Sequence, residues 1–517
     1  MEMRLPSWNH LVLALTVIVY LCLFFLIPWR FQTNDDVIIM WLVSGAYTGV
    51  SETYAVFIHP YLSWSLAQIY DAYPQFNWYG LSWYITISIS VVLVLNRILS
   101  DIASPKWKAF WASFIFLLGF HFCLFPQFTL VAGLAGYSGM YCLSGNRRNY
   151  LEKGISIILI VTGVMIRWES VALVMIGWVW SSFIFSIDNR KVLFQNLLLV
   201  VAIFLTLLGL KLDYEQRFVE QDFLAFNKAR AGVIDHPVFV ESIRNEEISR
   251  ESDWFYYGRW MFEELPIDIE RLKSKKIELD KQLYTWKELK NGLQRIIRVQ
   301  LTELFKSMMI LILFFGVIRS SWKLDRKLLY LVVWLIFYLI FNHYNLLLGR
   351  VNLLFFLVFL FPILKKPETE KPSKFIIPSV LVLWTFLGIH AFNFWKEALG
   401  REKINKEFYF LFEKKEENSP LFLEGFFEYN YMESFNKLEP VPALTYGWIS
   451  NSPFQRKAFE LRGFENLNEL ESYSLIAFQF PEPLVFPDYI QRLGSKYEVK
   501  SEFELENLRI LNFLKVR

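Results

Sequence analysis

Residues 33–49 read TNDDVIIMWLVSGAYTG, and the rest of the chain takes its meaning from them. Asp35 and Asp36 stand side by side just past the first long apolar run. Beside hydrocarbon a carboxylate loses hydration and two neighbours repel, so one of the pair titrates abnormally or awaits a cationic partner. The same letters also spell a helix start. Asn34 or Asp35 would cap an interfacial helix beginning near Asp36, with both acids favoured by the helix dipole.

The surroundings are those of a membrane. Of 517 residues, 54% are hydrophobic and 18% aromatic, and apolar runs approaching 20 residues recur, as at 11–29 and 194–212. Such runs are long enough to cross a bilayer as helices. The first lacks a small-x-small cleavage site at Leu26, Ile27, Pro28, Trp29 and Arg30, so it is expected to stay as helix one. A net charge of +3 gives no case for nucleic acid. Cys22, Cys123 and Cys142 lie in or beside apolar runs, without the spacing of a disulfide or a metal site.

Eleven spans are expected: 11–29, 79–99, 109–125, 127–143, 154–166, 171–187, 192–212, 304–318, 328–341, 353–364 and 375–392. Between the first two, residues 30–78 are too polar to cross. They carry two amphipathic pieces, 36–48 and 53–70, suited to the membrane surface. The links 96–108, 145–153, 188–191, 319–327 and 365–374 together hold sixteen Lys and Arg, and alternating spans put all five on one side. That side is cytoplasmic by the positive-inside rule. The N-terminus is then cytoplasmic, and the Asp pair, a long polar insert and the C-terminal tail are extracytoplasmic. The fold class expected is an all-α polytopic membrane protein with a helical insert and a small α/β C-terminal domain. Its parts are 1–212, 213–299, 300–393 and 394–517, and its place is the cytoplasmic (inner or plasma) membrane.

Within the insert, 226–237 reads FNKARAGVIDHP and 253–266 reads DWFYYGRWMFEELP. The second stretch mixes aromatics with acids and one Arg. Trp254, Tyr257 and Arg259 would suit stacking on a sugar, although such stripes also form ordinary packed helices. Residues 271–290 read as a charged strut. In the tail, 473–480, 497–500 and 508–515 read as strands and 487–493 as a short helix.

At the outer rim the ionisable residues come from three separated places: Asp35 and Asp36; Arg167 and Glu169; and His343, Asn345, Arg350 and Asn352. His59 lies on the second amphipathic piece. Charged groups at membrane depth are expensive, so each is a site candidate. The competing readings are a local Arg167–Glu169 pair, an Arg350 that snorkels to headgroups, and an ordinary interfacial His343.

With Asn34, Asp35 and Asp36 opening a long first outer loop, this plan resembles the GT-C class of membrane glycosyltransferases. The resemblance covers the architecture of the whole chain. It implies a polyprenyl-phosphate-linked sugar as donor and a surface glycan, lipid or protein as acceptor, with membrane lipids around the protein. It also implies a carboxylate base in the first outer loop. Asp36 is assigned as base, Asp35 as its orienting partner or alternative, and Arg350 and Arg167 as contacts to the donor phosphate. His59, Glu169, His343, Asn345, Trp254, Tyr257 and Arg259 are the expected substrate contacts. A divalent cation on the Asp pair is possible in the class, but no third ligand is evident and no metal site is assigned. A polysaccharide polymerase or ligase would use the same donors. A transporter or flippase of lipid-linked sugars would instead show internal repeats and broken helices near the midplane.

Overall fold

The computed structural model describes residues 8–144, 150–187, 189–365, 376–425, 440–479 and 484–516. The first apolar run forms α1 (Trp8–Leu26). The two surface pieces follow as α2 (Asn34–Ser44) and α3 (Pro60–Ala72). Pro60 takes the first position of α3, where its missing N–H costs nothing, and His59 caps it. Next come α4 (Trp78–Asp101), α5 (Pro105–Leu124) and α6 (Phe128–Leu143).

The expected spans 154–166 and 171–187 are joined in α7 (Tyr150–Phe185), which breaks at Arg167 (φ −159°, ψ 99°). Beyond it, α8 (Arg190–Phe218) runs into the insert. The insert forms α9 (Gln221–Ile234), α10 (Pro237–Arg244), α11 (Asp253–Gly258) and α12 (Ile269–Gln282).

The charged strut is not continuous. Thr285 caps a new helix, α13 (Trp286–Thr302), which meets α14 (Leu304–Arg319) at a 103° bend. Trp286, Leu289, Leu293, Ile297 and Leu301 are exposed along one side of α13, the pattern of a helix lying on a membrane surface. The expected ninth span forms α15 (Leu324–Tyr344), and the expected tenth is split into α16 (Gly349–Leu357) and α17 (Leu360–Lys365). The last span is the start of α18 (Ile376–Phe412), which continues far into the tail.

The chain is a multi-pass membrane protein. Among the described residues six helices are long and apolar enough to cross a bilayer, seven if the bent α13–α14 pair is one span. Part of the difference from eleven is that α7 holds two expected spans and is one helix in this count, and part is geometric. At 1.5 Å per residue the 16 residues of α6 reach only about 24 Å, short of a hydrocarbon core of about 30 Å, and α16–α17 is interrupted. Residues 145–149, 188 and 366–375, which carry part of the basic links, and Phe480 and Arg517 lie outside the described residues.

The tail forms the expected mixed unit. Its strands β1 (Leu421–Glu424), β2 (Ser472–Phe478), β3 (Tyr497–Glu504) and β4 (Leu508–Lys515) are ordered β1-β2-β4-β3. β1 pairs parallel to β2, and the other pairs are antiparallel. Two helices, α19 (Pro453–Leu461) and α20 (Phe486–Arg492), complete it. β1 was not anticipated from sequence: it is four residues long.

Every residue of α6 is buried, and small residues let α7 approach it closely. A Cβ on Gly139 would lie 2.6 Å from the Ser156 carbonyl oxygen and 2.6 Å from Ile160, whereas one on Gly154, on the outside of α7, would meet nothing within 4 Å. Gly139→Ala is therefore expected to destabilise the protein by about 1–3 kcal/mol through overpacking. Gly154→Ala should be neutral or stabilising by about 0.5–1 kcal/mol. Thermal unfolding of the two variants in detergent checks the contrast.

Candidate active site

The Asp pair opens α2, but neither Asn34 nor Asp35 caps it. Thr33 holds the cap position without a side-chain cap bond, and its hydroxyl donates instead to Asp36 Oδ2 at 3.0 Å. Asp36 is fully buried. Its Oδ1 accepts from Tyr79 Oη (2.9 Å), Trp83 Nε1 (3.1 Å) and the Phe128 backbone N–H (3.2 Å). Phe128 begins α6, so the carboxylate occupies a helix N-terminus and satisfies an otherwise orphan donor. Burial pushes the Asp36 carboxyl up to about 7. The Trp83, Tyr79 and Thr33 donors pull it back down, and the neighbouring Asp35 charge adds to the rise.

Asp35 has a different fate. It lies on the wall of a cavity of about 1510 Å³, well above the roughly 300–1000 Å³ of ordinary small-molecule sites. Arg350, near the start of α16, faces it with Nη2 3.9 Å from Asp35 Oδ2. The α16 backbone comes so near Glu303 that a Cβ on Gly349 would collide with that carboxylate. Arg167 reaches the same cavity from the break in α7. Its guanidinium lies over the Phe128 ring (4.8 Å) and the Phe57 ring (5.7 Å), 3.8 Å from Glu169. The break is supported from outside the helix: the His59 backbone N–H donates to the Met165 carbonyl at 2.7 Å.

Asp35, Arg167, Glu169, Asn345, Arg350 and Arg259 thus share one cavity. The others do not reach it. The expected base, Asp36, has no face on the cavity, because four donors enclose it. His59 has both ring nitrogens engaged: Nδ1 accepts from the Tyr61 N–H (3.2 Å), and Nε2 meets the Leu207 carbonyl (2.9 Å). It is a helix cap, not a substrate contact. His343 stacks edge-on with Tyr344 and Tyr284 beside the cavity. Trp254 packs on Phe239 and Tyr257 with Arg271 and Lys275 near its face, and Tyr257 is buried, donating its hydroxyl to the Arg230 carbonyl at 3.1 Å. Asn352 is buried too, its Oδ1 accepting from Tyr338 Oη at 2.8 Å.

Several wall residues had no assigned role: Asn227, Arg230, Asp235 and His236 from FNKARAGVIDHP, Trp260 beside Arg259, and Tyr446 and Trp448 from the tail. The signal available for the first group was a charged pair set among apolar residues ahead of a helix-breaking His-Pro. Among the described residues no group of three or more His, Cys, Asp and Glu is arranged to hold a metal ion. The ion-pair partner of Asp35 is the Arg350 guanidinium.

No family model matches the chain, and no curated protein matches it in sequence. Two solved structures are similar to it in fold. ArnT from Cupriavidus metallidurans bound to undecaprenyl phosphate has a TM-score of 0.44 at 11% identity, covering 98% of both chains. The apo state of the same protein has a TM-score of 0.42 at 11% identity and the same coverage.

Asp36 leads to a prediction about stability. Its carboxyl is raised to about 7 in the fold from 3.8, so the folded protein binds that proton more tightly than the unfolded chain does. Its contribution is fully present below pH 3.8 and is lost as pH rises through about 7, by up to about 4 kcal/mol. In Asp36→Asn, Oδ1 keeps its three donors and the amide donates to Thr33. The variant should fold, and its melting temperature should exceed that of wild type by a margin that grows from about pH 4 and levels off above about pH 7. A margin independent of pH would show that Asp36 does not titrate in this range.

Proposed function

We propose that this chain is an integral membrane glycosyltransferase that moves a sugar from a polyprenyl-phosphate donor to a hydroxyl of a surface glycan, lipid or protein on the outer face of the membrane. The observation that carries the reading is the meeting of Asp35, Arg350 and Arg167, from three distant parts of the chain, on one large cavity. In the reaction the acceptor oxygen attacks the anomeric carbon and its proton passes to the Asp35 carboxylate. The bond from that carbon to the phosphate oxygen breaks, and the electron pair leaves with the phosphate. Arg350 and Arg167 meet the charge gathering there with fixed N–H donors. A single displacement of this kind inverts the anomeric centre.

Geometry precedes acidity in choosing a base. Asp36, raised to about 7, has an acidity suited to the task but no access to the cavity; Asp35 has the access. Asp36 is then a positioning residue, which fixes the first turn of α2. The reading places the N-terminus in the cytoplasm and the insert and tail outside, roofing the cavity. A transporter would draw on the broken α16–α17 helix. That break falls at Val358 and Phe359, both buried and apolar, without an ionisable group.

The test is sugar transfer from labelled polyprenyl-phosphate donors by purified protein. Asp35→Asn should lose about 10²–10⁴-fold in rate, the usual contribution of a general base. Asp36→Asn should stay within about tenfold of wild type. Full activity in Asp35→Asn with loss in Asp36→Asn would return the base to Asp36, and full activity in both would remove the pair from the chemistry.

A further inference from the structure

Four arginines are buried among the described residues: Arg97, Arg230, Arg295 and Arg401. Three have a carboxylate: Arg97 pairs with Glu152, Arg295 with Glu288 and Arg401 with Glu397. Arg230 makes no ion pair among the described residues. It is 2% exposed, yet it lies on the wall of the large cavity. Its Nε and Nη2 both donate to one neutral acceptor, Asn227 Oδ1, at 3.1 and 2.7 Å. Its Nη1 has no hydrogen-bond partner among the described residues. The carboxylates that act on it, Asp235 and Asp35, do so without an ion-pair contact, and a buried guanidinium lacking a contact partner is costly, so an anionic ligand at this wall would offset that cost.

The neighbouring side chain is equally unusual. Trp260 sits at φ +65°, a left-handed conformation that bulky residues avoid and that concentrates at ligand sites. Its backbone N–H donates to the Tyr257 carbonyl (3.0 Å), while the Tyr257 hydroxyl donates to the Arg230 carbonyl (3.1 Å), so the loop and α9 hold each other. The result sets the Trp260 ring 5.3 Å from the Arg230 guanidinium, with both on the cavity wall. Asp235, at the end of α9, feels the charges of Arg230, Asp35, Arg350 and Arg167, so this wall is electrostatically continuous with the reaction centre.

We infer that Arg230, Asn227 and Trp260 form a subsite for a saccharide bearing an acidic group, a carboxylate or a phosphate ester. The ring of the sugar lies on Trp260, and its anionic group is drawn to the Arg230 guanidinium on the cavity wall. The inference rests on the glycosyltransferase reading and narrows it to an acidic sugar substrate.

Binding is measured without turnover, on protein carrying Asp35→Asn, so failure of transfer does not affect the result. The probes are a glucuronate-terminated oligosaccharide, the matching glucose-terminated oligosaccharide, glucose 6-phosphate, glucose and undecaprenyl phosphate. At least one acidic sugar should bind tenfold or more tightly than its neutral counterpart. Which of the two does so tells carboxylate from phosphate. Arg230→Gln should abolish the preference. Trp260→Gly relieves the backbone strain and removes the stacking face, so it should fold while losing affinity for charged and neutral sugars alike. Equal binding of acidic and neutral sugars, or a preference unchanged in Arg230→Gln, overturns the inference. So does a selective loss of undecaprenyl phosphate binding in Arg230→Gln, which would assign that guanidinium to the lipid phosphate.

Discussion

One carboxylate ties together the elements on which the cavity depends. Asp36 belongs to α2, its donors Tyr79 and Trp83 to α4, and the Phe128 N–H to the first turn of α6. With Thr33 closing the set, the buried carboxyl is held by four directed hydrogen bonds. Successive residues of a helix are turned by about 100°, so fixing Asp36 inward turns Asp35 away from the packed side and onto the cavity. The chemistry proposed for Asp35 depends on its neighbour having none.

The cations are placed by a second constraint, the interruption of helices. Arg167 reaches the cavity because α7 breaks at that residue, and the Met165 carbonyl freed near the break is taken by the His59 N–H. Arg350 reaches it because α16 starts afresh at Gly349, where the α16 backbone can pass the Glu303 carboxylate only without a side chain. An unbroken helix would carry these guanidinium groups on faces set by its own periodicity. Breaking it lets the fold aim them at Asp35.

These constraints explain what the sequence disclosed. Apolar runs and short basic links are local signals, so the helices, the insert and the strands of the tail were readable in outline. So was the gathering of Asp35, Arg167 and Arg350, since each is costly in an apolar setting. The choice between Asp35 and Asp36 was not, because adjacent residues have the same composition around them and only the packing of α4 and α6 separates them. His59 and Tyr257 looked like site residues by type, but the hydrogen bonds that occupy them run to Leu207 and to the Arg230 carbonyl, far away in the chain. Arg230 was hidden in the opposite way. In a strongly charged insert one more arginine is unremarkable, and its burial without a contact carboxylate is visible only in three dimensions.

The insert and the tail reach the site as one roof because they are joined by backbone groups. Glu264 accepts from the Leu467 N–H at 2.6 Å, Asn451 donates to the Phe262 carbonyl at 3.0 Å, and the Glu263 carboxylate accepts from the Asn451 N–H. These acids follow Trp260 by three and four residues, so the contacts that fasten the insert to the tail also hold the strained loop in place. The wall takes Leu173, Phe341, Val351 and Leu354 from α7, α15 and α16, and Arg230, Asp235 and Trp260 from the insert. A wall that mixes apolar and charged groups in this way is compatible with the amphiphilic donor proposed above. In that proposal the Asp35–Arg350 pair marks where the bond between sugar and phosphate would lie.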